Sequence, residues 1–132
     1  MKHEGLSCAF QQADARLLEL EARLAGKEAL PLAATVEQAI AMVRSLIVAY
    51  LAEEGRKMLP PQDADLLDVF KVLVKGDPSW NALRDNCREL VYYRNCIAAD
   101  RLDALPLAPE KMAVRTARHI YLYLKTRFAT MA

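Results

Sequence analysis

Apolar residues recur along this chain at steps of three and four, with polar residues filling the positions between them. That period keeps one face of a helix apolar and predicts amphipathic α-helices rather than strands. Phe10, Ala13, Leu17, Leu20 and Leu24 predict a first helix over residues 6–25, with Gly26 as its stop. Residues 27–34 contain Pro31 and read as irregular. Val36, Ile40, Val43, Ile47 and Tyr50, widened by Leu46, Val48 and Leu51, predict a second helix over 36–54. Thr35 and Gln38 form its capping box and Gly55 ends it. A helix this apolar belongs at the centre of the molecule, buried on two sides.

Pro60-Pro61 blocks any continuation of that helix. Asp63 then caps a third helix over 64–75, with Leu66, Leu67, Phe70, Leu73 and Val74 inward and Gly76 at its close. Asp77-Pro78-Ser79 is a helix entry, the aspartate capping and the proline in the first helical position, and it opens a long fourth helix over 78–100. After a loop over 100–108, the last helix starts at Pro109-Glu110 and runs to Phe128, with Ala113, Ala117, Ile120, Leu124 and Phe128 on its inner face. Strand patterns, internal repeats and low-complexity linkers are absent. The expectation is one all-α domain over residues 1–132, a bundle of about five helices.

Composition agrees: 54% hydrophobic and 27% charged residues describe a globular chain rather than a disordered one, and only 4 glycines favour helix. The apolar runs read as too short to span a bilayer, and the polar start Met1–Gly5 does not read as a signal peptide. Cys8, Cys87 and Cys96 are widely spaced and odd in number, which argues against a disulfide framework and for a reducing cytoplasm. They lack the paired spacing of a zinc site, and His3 and His119 do not cluster with them, so they read as buried structural thiols. No metal or cofactor is predicted. No phosphate-binding glycine loop, dinucleotide fingerprint or nucleophile elbow is present.

The net charge of +1 hides an asymmetry. Residues 1–70 carry 7 basic and 11 acidic side chains, whereas residues 71–132 carry 11 basic and 6 acidic. A positive second half suits a phosphate backbone, or else a solvated helix face. Tyr92, Tyr93, Tyr121 and Tyr123 fall on the last two long helices, where they can pack between helices, line an interface or stack on bases.

The fourth helix carries one anomaly. Its apolar seam runs Trp80, Leu83, Cys87, Leu90, then Arg94, then Ile97. A guanidinium at a core position needs a partner. Within one fold, Glu89, Asp85 or Asp100 are the nearby acids that could supply it.

The segment Tyr93-Arg94-Asn95-Cys96-Ile97-Ala98-Ala99-Asp100 resembles the signature of HEPN domains, small helical bundles of which many are metal-independent ribonucleases. Their motif is an arginine, often followed by a polar residue, with a histidine after four intervening residues. Arg94 and Asn95 match, and the histidine position is Ala99. The wider build agrees loosely over residues 35–128. The resemblance implies a toxin- or defence-type RNA cleaver, including antiviral defence, acting as a homodimer whose site forms where two protomers meet. Arg94 would grip the scissile phosphate, Asn95 would orient it, and Arg101, Lys111, Arg115, Arg118 and His119 would contact RNA. Cleavage by the 2′-hydroxyl needs a proton-transfer group, and alanine has none. The chain is therefore expected to be inactive, through natural loss of the histidine or a deliberate replacement, unless His119 substitutes for it. The alternative is a non-catalytic module that binds RNA, a cognate antitoxin or a nucleotidyltransferase.

Overall fold

The computed structural model describes residues 3–56 and 59–130. Five α-helices form one bundle: α1 (Glu4–Ala25), α2 (Leu32–Glu53), α3 (Leu66–Gly76), α4 (Arg84–Ala98) and α5 (Pro109–Ala129). Two short 3-10 turns, Pro78–Leu83 and Leu102–Ala104, precede and follow α4. No strand occurs among the described residues.

The apolar stripes read from the sequence are the core. Phe10, Ala13, Leu17 and Leu20 of α1 and Ala113, Ala117, Ile120 and Leu124 of α5 are buried. Between them lies α2, which packs against α1, α3, α4 and α5. Val36, Val43, Ile47 and Leu51 on α2 are almost wholly out of water. By length and composition α2 could cross a membrane, although Glu37 and Arg44 break its apolar runs in the sequence. Here the other helices cover its inner face, while Ala33, Ala34, Glu37, Gln38, Ala41, Ser45 and Ala52 stay exposed.

Several boundaries differ from expectation. α2 starts at Leu32, directly after Pro31, so Thr35 lies inside the first turn and is buried to 2% exposure. No capping box forms. The Thr35 amide instead donates to the Pro31 carbonyl at 3.0 Å. Ala33 and Ala34 favour helix, and an earlier start lets Leu32 pack against the core.

α3 is preceded by Asp65 rather than Asp63. The single helix expected over 78–100 is two elements. Asp77 accepts the Ser79 amide at 3.0 Å as predicted, but the turn that follows is 3-10, and it anchors the fully buried Trp80 and Leu83 before α4 begins.

Helix ends show why glycine was a partial guide. Gly55 has φ +72 and takes the left-handed position that closes α2. At the end of α1 that position falls to Lys27 (φ 60), one residue beyond Gly26, and at the end of α4 it falls to Asp100 (φ 55). Both ends carry the paired backbone bonds of this motif: Glu28 to Arg23 at 3.0 Å and Arg101 to Cys96 at 2.8 Å.

Gly76 matters for a different reason. A side-chain carbon there would strike the Arg56 guanidinium. Arg56 lies over the end of α3 and donates to the carbonyls of Val72 (2.9 Å) and Leu73 (3.3 Å), the second of which belongs to the last turn, where carbonyls run out of amide partners. Arg44 does similar work on the preceding loop, donating to the carbonyls of Pro61, Gln62 and Ala64.

Candidate functional site

Arg94 projects from α4 toward the start of α3. Its two terminal nitrogens donate to the two carboxylate oxygens of Asp65, Nη1 to Oδ1 at 2.7 Å and Nη2 to Oδ2 at 2.8 Å. This is the bidentate fork for which guanidinium geometry is suited. The predicted partners Glu89, Asp85 and Asp100 are not used. Glu89 instead accepts the Tyr93 hydroxyl at 2.8 Å and the Thr116 hydroxyl at 3.0 Å, joining α4 to α5. Arg94 is half-buried, with 30% of its side chain exposed. Its hydrogen bonds to Asp65 hold the Asp65 carboxyl below the usual carboxylate range and raise the Arg94 guanidinium, helped by the nearby Glu37. Asp65 shows no side-chain cap bond to α3. Both of its oxygens face the guanidinium.

Asn95 and Ala99 are exposed. Ala99 sits at the C-terminal cap of α4, its amide bonded to the Asn95 carbonyl at 2.9 Å. On a helix of about 100° per residue, positions 94 and 99 point roughly 140° apart. Arg94 turns toward Asp65, while Asn95 and position 99 face solvent. The motif residues therefore lie close along the chain but open onto different surroundings.

The five predicted RNA contacts divide into two groups. Arg118 is a structural tie between α5 and α1. It bonds Asp14 at 2.8 Å and Glu21 at 2.7 and 3.0 Å, and lies over the Tyr121 ring at 5.0 Å. The Glu21 bonds are the main reason its guanidinium is raised. Arg101 is occupied by Asp103 through bonds of 3.0 and 3.1 Å. Lys111, Arg115 and His119 are exposed and follow one another at steps of four on the outer face of α5. None of these three makes an ion pair among the described residues.

The tyrosines also divide. Tyr93 and Tyr121 are buried in the core, and burial first, then Glu89, pushes the Tyr93 hydroxyl upward. Tyr92 is half exposed and donates to the Ala104 carbonyl at 3.2 Å. Trp80 is fully buried, with Tyr50 at 5.2 Å, Tyr123 at 5.7 Å and the Arg127 guanidinium 4.0 Å over its ring. Arg127 is itself fixed by Asp77 at 2.7 Å and Ser79 at 3.1 Å. Cys87 and Cys96 are buried as expected, but Cys8 is exposed. No group of three or more metal-type side chains gathers among the described residues.

Sequence reasoning missed Asp65, because it stands 29 positions before Arg94 and no helical period links them. The one available signal was its place just ahead of an apolar run, where a helix start brings a carboxylate to a fixed spot. No family model, curated protein or solved structure matches this chain.

Proposed function

We propose that this chain is a non-catalytic helical interaction module, a HEPN-like bundle whose motif helix serves the fold and a partner rather than RNA cleavage. The observation that supports this reading is the engagement of both Arg94 terminal nitrogens by Asp65 of the same chain. A guanidinium must leave that carboxylate before it can grip a phosphate, and the developing phosphorane charge would compete with a ligand already bound in a bidentate fork. Position 99 supplies no proton-transfer group, and its cap location on α4 turns it away from Arg94. Of the predicted phosphate contacts, Arg101 and Arg118 are engaged by carboxylates of their own chain.

In this reading the partners are macromolecules. The resemblance suggests their classes, a cognate antitoxin or a nucleotidyltransferase with a second copy of the chain, and the unpaired cysteines suit a reducing cytoplasm. The test is to restore the missing imidazole. Ala99→His, alone and combined with Asp65→Asn, is expected to leave a folded protein that does not cleave single-stranded RNA in the presence of EDTA. RNA cleavage by the purified Ala99→His protein would overturn the proposal and restore the ribonuclease reading.

A further inference from the structure

Most arginines of this protein are tied to carboxylates or carbonyls. Four cations on α3 and α4 are held less tightly. Lys71 and Lys75 stand four residues apart on α3, Arg84 and Arg88 four apart on α4, and all four side chains are exposed. They rim one open cleft of about 480 Å³. The apolar residues lining it are Leu67 and Val74, half-buried, and Phe70, 4% exposed. α3 and α4 run antiparallel, since Asp65 at the start of α3 meets Arg94 near the end of α4 and only a short turn joins their other ends. The cations thus form two rows.

No acidic side chain lines the cleft. Asp85 comes no closer to Arg84 than 3.8 Å, and Lys71, Lys75 and Arg88 make no ion pair or hydrogen bond among the described residues. Like charges gathered around an apolar floor repel one another, and an anionic occupant relieves that repulsion. The occupant must also be apolar where it meets Leu67, Phe70 and Val74. Those residues recur at steps of three and four, which matches the spacing of side chains on a second helix.

We infer that the α3–α4 cleft docks an acidic amphipathic helix of a partner protein. Its apolar stripe would lie on Leu67, Phe70 and Val74, and its flanking carboxylates would meet Lys71 and Lys75 on one side and Arg84 and Arg88 on the other. The 11 residues of α3 span about 16 Å, which accommodates about three turns of such a helix. RNA fits less well. Single-stranded RNA binding uses exposed aromatic faces for stacking, and the one aromatic lining this cleft is buried in the core. The inference rests on the reading of the chain as a partner-binding module and names the chemistry of that partner.

The experiment uses the full chain and a fluorescein-labelled synthetic helix of about 14 residues with leucine on one face and glutamate on both flanks. The comparison probes are a scrambled peptide of the same composition and a single-stranded RNA. Fluorescence anisotropy is expected to show binding of the amphipathic peptide, weakened roughly tenfold or more by scrambling and by Lys71→Glu/Arg88→Glu. The milder Lys71→Gln/Arg88→Gln is expected to weaken it partially, and circular dichroism checks that both variants keep their helix content. Peptide binding by Lys111→Glu/Arg115→Glu, on the α5 face, is expected to be unchanged. Absence of peptide binding to the folded wild-type chain, or binding indifferent to reversal at 71 and 88, overturns the inference. So does RNA binding that exceeds peptide binding and is lost with the same reversal. These outcomes are separate from RNA cleavage by Ala99→His, which bears on the interaction-module reading alone.

Discussion

The tie between Arg94 and Asp65 has a strength that can be read directly. Asp65→Asn keeps the shape of the side chain and its suitability before a helix, but removes the charge. Arg94→Met keeps an apolar stem and removes the guanidinium. The geometry is favourable, with two parallel bonds of 2.7 and 2.8 Å. The setting limits the gain, because 30% of the arginine side chain and 42% of the aspartate side chain are exposed. Water and salt screen such a pair, which places the coupling at about 1 kcal/mol rather than at the several expected for a desolvated pair. For a chain of this length that corresponds to roughly 3–5 °C in Tm.

The pH dependence fixes the sign. Arg94 holds the folded-state carboxyl of Asp65 below its ordinary value of 3.8. The stabilisation is therefore fully present above the unfolded value and is lost as pH falls through the lower folded one. Urea unfolding of the wild type, both single variants and the double variant is expected to give a coupling of about 1 kcal/mol at neutral pH that shrinks toward zero as pH falls through the lowered Asp65 value. It is also expected to shrink in about 1 M salt. A coupling below about 0.3 kcal/mol at neutral pH, or one that persists unchanged in acid, would refute the claim that Arg94 is held by its own chain.

Other features of the fold give further expected outcomes. Arg118→Met removes the bonds to Asp14 and Glu21 and leaves two carboxylates facing each other's field, so urea unfolding is expected to show a loss of about 2 kcal/mol. Asp100→Gly relaxes a left-handed residue at the end of α4 and is expected to raise stability by about 0.5 kcal/mol, whereas Gly55→Ala forces a side chain into φ +72 and is expected to lower it by about 1 kcal/mol. In thiol titration of the native protein Cys8 is expected to react readily, while Cys87, pushed up to about 12 by burial, reacts only after denaturation.

The helices and their inner faces were legible because burial repeats with the helical period, and the stripes through Phe10, Ile47 and Ile120 needed no knowledge of their neighbours. Helix starts were less legible. Thr35 and Gln38 have the letters of a capping box, but Pro31 presets the backbone four residues earlier and Leu32 gains from packing, so Thr35 was buried instead of used as a cap. The break after Leu83 was hidden because 3-10 and α turns share the same apolar seam over so short a stretch. At the candidate site, the need of Arg94 for a partner was legible from its place in that seam. The identity of the partner was not, because it depends on how α3 and α4 dock.

That docking also explains the charge asymmetry of the sequence. A second half rich in arginine suggests a surface made for phosphate, yet several of those arginines act as staples between elements. Arg94 joins α4 to α3, Arg118 joins α5 to α1, and Arg127 joins α5 to the turn that carries Trp80. In two of the three ties the carboxylates come from the acidic first half, so part of the opposite charge of the two halves meets in contacts between helices. A count of charges therefore overstates the basic surface, and the cations that matter for recognition are those the fold leaves over. In residues 71–132 they gather in two places, Lys111 and Arg115 on the outer face of α5 and the double row around the α3–α4 cleft. Only the second combines charge with an accessible apolar floor, and an apolar floor adds burial to what charge alone supplies. The proposed recognition is thus better sought between Lys71 and Arg88 than at Arg94.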